Sequence, residues 1–243
     1  MEPRRLPLVP RERLGVFLAV EAFAAGWTPN ALSRAVAVDR LIRLRRGVYV
    51  PPGLDVEMHP ADRERRDRAR CSIGAALVTR GSVVGALAVA TLLQLPVWAP
   101  REQACLTVPY GQATSVDGVH LHRGWLRPGT RRSVAGFEIP SPTRTVIDVA
   151  REYGTESGLV VADAAVAAGL TTPALLLDEV GRLIGRRGIG HARPLPELVD
   201  PRSESVLESR SRWQFIRHEL PMPTPQMWIY DLDGRFLGRT DFY

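Results

Sequence analysis

Lysine is missing from all 243 residues, so each of the 32 basic side chains is an arginine. A GC-rich genome produces that bias through codon usage alone. The physical consequence holds whatever its origin: every cationic contact falls to a guanidinium, whose planar fork suits phosphate oxygens and guanine edges. Cysteine is nearly absent. Cys71 and Cys105 stand far apart with no Cys-x-x-Cys spacing, which argues against a disulfide framework or a zinc site and fits a reducing cytoplasm. Long apolar runs are lacking as well. The stretch SVVGALAVATLLQLP falls short of the about 20 apolar residues that a bilayer-spanning helix needs. Near the N-terminus, LGVFLAVEAFAAG follows arginines much as a signal peptide's apolar region would. Glu21 interrupts it, however, and Pro10, Arg11, Glu12 and Arg13 lead straight into it. These absences lead to the expectation of a cytoplasmic protein that does not engage a membrane.

What is present is a globular composition, 45% apolar and 24% charged, with a net charge of +6 and a pI of about 10.1. That balance favours a polyanionic partner, nucleic acid first and an anionic membrane surface second. The length allows one large domain or two to three small ones.

The N-terminal segment carries the clearest pattern. Leu14, Phe17, Leu18, Ala22 and Ala25 recur at helical spacing, which predicts an amphipathic helix over 11–25 that Gly26 ends. Thr28 and Pro29 form an N-cap and first-turn pair opening a second helix over 28–38. Leu32, Ala35 and Val36 make its buried stripe, leaving Asn30, Ser33 and Arg34 on the opposite face. Helix, glycine turn and helix make a helix-turn-helix arrangement, and the exposed residue types are those that read adenine and guanine in a major groove. In RLIRLRRGVYVPP, strand alternation points Ile42 and Leu44 inward and Arg43 and Arg45 outward. Arg46-Gly47 makes the turn, and Val48 and Val50 return to the core face. The whole reads as a winged helix whose wing carries cations that lie along phosphates. Asn30, Ser33 and Arg34 then face base edges, and Arg40, Arg43, Arg45 and Arg46 grip the backbone; a solvated hairpin with incidental arginines is the bland alternative.

The stretch GWTPNALSRAVAVDRLIRLRRGVYVPP resembles the N-terminal domain of AbiEi-type antitoxins, the transcriptional-repressor half of type IV toxin–antitoxin systems. Those domains end in an arginine-rich hairpin closing on Gly-Val-Tyr, as Gly47, Val48 and Tyr49 do here. The resemblance implies double-stranded DNA as a partner and a nucleotidyltransferase-like toxin as a cognate protein.

Further along, HPADRERRDRAR (59–70) reads as a charged, solvated helix start. CSIGAALVTRGSVVGALAVATLLQLP gives two small-residue-rich helical stretches separated at Arg80-Gly81. ACLTVPYG and GVHLHRGWL read as strands, FEIPSPTRTVIDVAREYG as strand, turn and helix, and GLVVADAAVAAGL as a helix stopped by Gly169. This order, SPTRTVIDVAR above all, resembles the α/β module that follows such winged helices in actinobacterial proteins. His120 and His122 share one strand face, a candidate metal pair with no third ligand nearby, and so read as ordinary strand histidines. Arg186, Arg187, His191 and Arg193 lie in a glycine-loosened basic loop, either a set of phosphate contacts or a mobile surface loop.

The last forty residues read as a helix capped by Ser203, with an apolar stripe of Val206, Trp213, Ile216 and Leu220, and then a hairpin turning at Asp233-Gly234. SESVLESRSR, LPMPTPQ and GRTDF, in that order, resemble the start of a Vsr-like endonuclease domain of the PD-(D/E)xK type. The resemblance makes Glu208 and Asp241 magnesium-site carboxylates. The acid and its partner that such a site also needs lie downstream of the aspartate in that family, and this chain stops two residues after Asp241. The expectation is therefore a truncated, catalytically incomplete piece. No cofactor is expected unless the nuclease were intact, when Mg²⁺ would be required.

The fold expected is mixed α/β and multi-domain. A winged helix-turn-helix occupies 1–55, an AbiEi-like α/β module 56–200, and an incomplete restriction-endonuclease-like piece 201–243. The function expected is a DNA-binding regulator. The alternatives are a Mg-dependent endonuclease or repair-type enzyme, and a non-functional fragment of one.

Overall fold

The computed structural model of the chain describes residues 5–99, 103–109, 114–116, 118–124, 126–127 and 129–242. The chain forms a mixed α/β structure divided into two compact units. Met1–Leu93 and Arg101–Ser141 make the first, and Gln94–Pro100 and Pro142–Tyr243 the second.

The first unit begins with a small module. A 3₁₀ turn at Arg11–Arg13 leads into strand β1 (Phe17–Leu18), helix α1 (Ala19–Ala24), helix α2 (Pro29–Ala37) and the hairpin β2 (Ile42–Arg45) and β3 (Val48–Val50). The three strands pair antiparallel in the order β1-β3-β2. The long first helix expected over 11–25 does not form. Leu14 and Gly15 both take positive φ, 52° and 87°, and a Cβ at Gly15 would lie 2.6 Å from Leu54 Cδ1. Phe17 and Leu18 are drawn into the sheet opposite Tyr49 and Val48, so a helical apolar period is spent on a strand and a six-residue helix.

Phe17, Ala22, Leu32, Ala35 and Leu41 form a private core under α2, with Trp27 and Tyr49 packed against it. Val16 and Val48 belong to a different cluster. They join Ile73, Val84, Leu106 and Phe137, which is why this module and the sheet beyond it share one unit instead of parting near residue 55. Helix α3 (Pro60–Val78) approaches β3 closely through Gly74, where a Cβ would stand 2.8 Å from Val48 Cγ1. The charged start of α3 is more than a solvated face. Arg70 is buried, donates from Nε to the Leu14 carbonyl at 2.9 Å, and pairs with Asp67 and Asp55. Arg13 donates to the Ala135 carbonyl at 2.7 Å and pairs with Glu21.

Beyond α3 lie β4 (Val83–Val84), helix α4 (Ala86–Leu92), β5 (Ala104–Val108), β6 (Thr114–Val116), β7 (Val119–Arg123), β8 (Arg131–Val134) and β9 (Phe137–Pro140). They form a six-stranded mixed sheet, ordered β6-β7-β5-β4-β9-β8, with β5–β7 and β4–β9 parallel and the other pairs antiparallel. The apolar run after Gly81 thus opens as a strand before α4. Neither Cys71 nor Cys105 is joined in a disulfide. The rings of His120 and His122 are 4.6 Å apart on β7.

The second unit is helical until its end. It contains α5 (Pro142–Tyr153), α6 (Thr155–Ala167), α7 (Pro173–Arg182), α8 (Ile189–Ala192), α9 (Leu195–Leu198), α10 (Val206–Arg217) and a hairpin of β10 (Pro225–Tyr230) with β11 (Phe236–Phe242). The TRTVIDVAR motif is an ion cluster in this fold. Arg144 and Arg151 reach Asp148 at 2.7 and 2.5 Å from positions four and three residues away, and Arg144 also reaches Glu179 of α7 at 3.3 Å. The apolar stripe expected on α10 is replaced by a polar one. Glu208, Ser209 and Arg212 are its buried residues, and its N-cap is Ser205, whose Oγ accepts from Glu208 N–H at 3.2 Å. Ser203 lies buried against Arg212 instead. The terminal hairpin turns at Asp233-Gly234 as its sequence suggests. Gly234 has φ 78°, and Asp231 Oδ1 accepts from the N–H groups of Asp233 and Arg235.

Candidate nucleic-acid interface

Helix α2 is set by local chemistry. Thr28 is extended, its Oγ1 accepts from Ala31 N–H at 3.2 Å, and Pro29 occupies the first helical position. Burial of Leu32 and Ala35 fixes the helix's rotation. Asn30, Ser33 and Arg34 are therefore all exposed, and Ala37 extends the same face one turn on. The side chains of Asn30 and Ser33 have no hydrogen-bond partner among the described residues.

The hairpin departs from simple alternation. Arg43 pairs with Tyr49 and Arg45 with Val48, so Leu44 is the extra residue of a β-bulge. The side chains on either side of the bulge do not follow the expected inward and outward directions. Ile42, expected inside, is 48% exposed, Arg43 is exposed, and Leu44 packs on the larger core. Arg45, expected outside, is half-buried. It acts on the Cys71 thiol of α3, whose pKa is raised by burial and by Asp67, against the opposing pull of Arg45 and Arg70. Arg40 and Arg46 are exposed, and Gly47 closes the turn at φ 77°. No acidic side chain pairs with Arg34, Arg40, Arg43 or Arg46 among the described residues. The face so assembled offers two amide- or hydroxyl-bearing side chains and a series of unneutralised guanidiniums.

The carboxylates singled out at the C-terminus stand in different surroundings. Glu208 is buried, and its Oε2 accepts from Glu204 N–H at 3.1 Å and from Gln226 Nε2 at 2.7 Å. Asp241 is exposed on β11. No cluster of three ligating side chains among the described residues includes either of them. The oxygens Gln226 Oε1 and Thr240 Oγ1 are buried without a partner among the described residues.

The model of a family described as "Transcriptional regulator, AbiEi antitoxin" matches residues 4–52. That span runs to the end of the β2–β3 hairpin and holds every exposed residue of the face just described. Two curated proteins from two strains of Mycobacterium tuberculosis, each described as uncharacterized, are 34% identical over 126 residues. The alignment covers 51% of this chain and 45% of each relative. The chain thus spans about half the length of the curated relatives it matches. No helix among the described residues is long and apolar enough to cross a membrane.

Proposed function

We propose that residues 5–52 form a winged helix that binds double-stranded DNA, and that the protein is a transcriptional regulator of the type IV antitoxin kind. The carrying observation is the exposed Asn30, Ser33 and Arg34 face of α2 beside an arginine-bearing hairpin, in the span that matches the regulator family. The strand–helix–helix–strand–strand order with sheet order β1-β3-β2 supports the winged-helix reading. In it α2 enters the major groove. Asn30 and Arg34 suit adenine and guanine edges, with Ser33 able to serve either. Arg40, Arg43 and Arg46 meet phosphates, which position the protein without reading sequence. A nucleotidyltransferase-like toxin is the protein partner that this reading implies.

Band-shift titrations at two salt concentrations test the proposal. Arg34→Ala lowers discrimination at one base pair by about 1–3 kcal/mol. Arg43→Ala weakens all sequences alike and lowers the salt slope by about 0.9. Identical behaviour of the two variants contradicts the assignment of roles, and a protein that binds no duplex in dilute salt contradicts the function.

The Mg-dependent endonuclease reading rests on Glu208 and Asp241 and their resemblance to a Vsr-like domain. A phosphodiester hydrolase holds Mg²⁺ with several hard oxygens at near-octahedral geometry. The described residues supply no third ligand to these two, and one Glu208 oxygen is already engaged by two donors. The residues do not fit the ion. DNA cleavage in Mg²⁺ that Asp241→Asn abolishes would reinstate the enzyme.

A further inference from the structure

We propose that the second unit carries its own phosphate-binding surface, a platform bearing Arg186, Arg187 and Arg193 that grips the backbone of duplex DNA. The inference rests on the DNA-binding reading above and adds a second point of contact to it.

The stretch IGRRGIGHARP has the composition of a loose loop, yet its backbone is tied at every turn. Arg186 N–H donates to Leu183 O at 2.9 Å, Ile189 N–H to Arg186 O at 3.2 Å, His191 N–H to Gly188 O at 3.0 Å and Arg193 N–H to Ile189 O at 2.9 Å. Two clamps come from neighbouring helices. Arg151 Nε donates to the Arg187 carbonyl at 3.1 Å, and Thr155 Oγ1 donates to the His191 carbonyl at 3.0 Å. Gly188 makes the closest approach. Its φ is 77°, and a Cβ there would lie 2.3 Å from the Arg151 carbonyl oxygen. Ile189, Ala192 and Leu195 are buried beneath. The arginines therefore project from a fixed backbone, and binding an anion through them orders side chains alone, which lowers its entropic cost.

Most guanidiniums of this unit are neutralised: Arg144, Arg151, Arg202, Arg210, Arg212 and Arg239 each have a carboxylate partner within 3.0 Å. Arg217 and Arg235 are exposed without an acidic partner among the described residues, but each stands singly in the sequence, whereas the platform gathers three. Arg186, Arg187 and Arg193 are exposed and have no acidic partner among the described residues, with His191 exposed among them. A duplex carries one phosphate charge per about 1.7 Å of its axis. Guanidinium forks match phosphate oxygens two at a time. Ile184, 70% exposed beside the platform, is the feature that a lipid surface would favour, and the test includes that arm.

The experiment uses the full chain, with fluorescence anisotropy on a 30-base-pair duplex of mixed sequence between 50 and 200 mM salt. The variant Arg186→Gln/Arg187→Gln/Arg193→Gln, with its thermal midpoint unchanged, lowers the slope of log K against log salt by about 2–3. Affinity then falls for every sequence alike. A slope equal to that of the unsubstituted chain overturns the proposal. If Arg43→Gln/Arg46→Gln lowers the slope in the same series, the DNA-binding reading survives that failure. An unsubstituted chain with no duplex affinity ends both readings. Loss of binding to phosphatidylserine vesicles with duplex binding intact also overturns the proposal, by assigning the platform to lipid.

Discussion

Arg212 of α10 and Asp163 of α6 meet at 3.0 Å with both side chains buried, 49 residues apart in sequence. The pair is the centre of a larger network. Asp163 also accepts from Asp200 N–H at 2.8 Å and from Ser209 Oγ at 2.7 Å, and Arg212 donates onward to Ser203 Oγ and to the Leu198 carbonyl. Burial pushes the Asp163 carboxyl upward, against the pull of these donors and of the Arg212 charge. The network ties α10 to α6 and to the segment from Leu198 to Ser203.

Removing one member leaves the other charged and buried. Arg212→Met is expected to destabilise the second unit by about 3–5 kcal/mol, the range for breaking one side of a buried pair. Asp163→Asn/Arg212→Met should cost less than the sum of the single changes, because the orphaned charge is gone. Urea unfolding followed by near-ultraviolet circular dichroism measures both. Additivity of the two substitutions would show that the pair is not coupled.

Helix α6 lies against α5 at Gly158, where an added Cβ would stand 2.4 Å from the Ala150 Cβ and 2.9 Å from its Cα. The obstruction is packed helix, not the end of a flexible side chain. Gly158→Ala is therefore expected to destabilise by about 1–3 kcal/mol, as overpacking does, despite the better helix propensity of alanine. A melting temperature at or above that of the unsubstituted chain would mean that the two helices part easily.

Asp200 makes one pH-dependent contribution to stability. Its hydrogen bonds from the Arg202 side chain hold the carboxyl below its ordinary 3.8, with burial opposing. A lowered folded-state pKa contributes stability that is present above the unfolded value and lost as pH falls through the folded one. Carbon-13 titration of the Asp200 carboxyl should show that shift, and Arg202→Ala should move its midpoint back upward. An unmoved midpoint would assign the shift to other groups.

The elements that sequence made legible are those whose causes are local. Thr28-Pro29 announces α2 because the cap and the fixed φ act within three residues, and Asp233-Gly234 announces its turn for the same reason. The first helix is misread because Phe17 and Leu18 satisfy a helical period while their hydrogen bonds go to Val48 and Tyr49, about thirty residues away. Alternation fails at Leu44 because a bulge inserts one residue, and no side-chain period records it. The buried face of α10 was invisible because Glu208, Ser209 and Arg212 look like solvent-facing residues until Asp163, Ser203 and Gln226 are brought to them. In the candidate interface the face of α2 follows from its period, whereas the separation of Arg45 from Arg43 does not.

That separation yields the last expectation. Arg43 is exposed, and Arg45 is half-buried with its charge acting on Cys71. Arg43→Ala should lower the salt slope of DNA binding by about 0.9 and leave the thiol untouched. Arg45→Ala should do less to the slope and raise the Cys71 pKa further, since a charge stabilising the thiolate is gone. Alkylation rates at a series of pH values read the thiol directly, with Cys105 replaced by alanine to leave one reporter. If Arg45→Ala leaves the alkylation profile unmoved and lowers the salt slope as much as Arg43→Ala does, both arginines face the ligand and the bulge has no consequence for the interface.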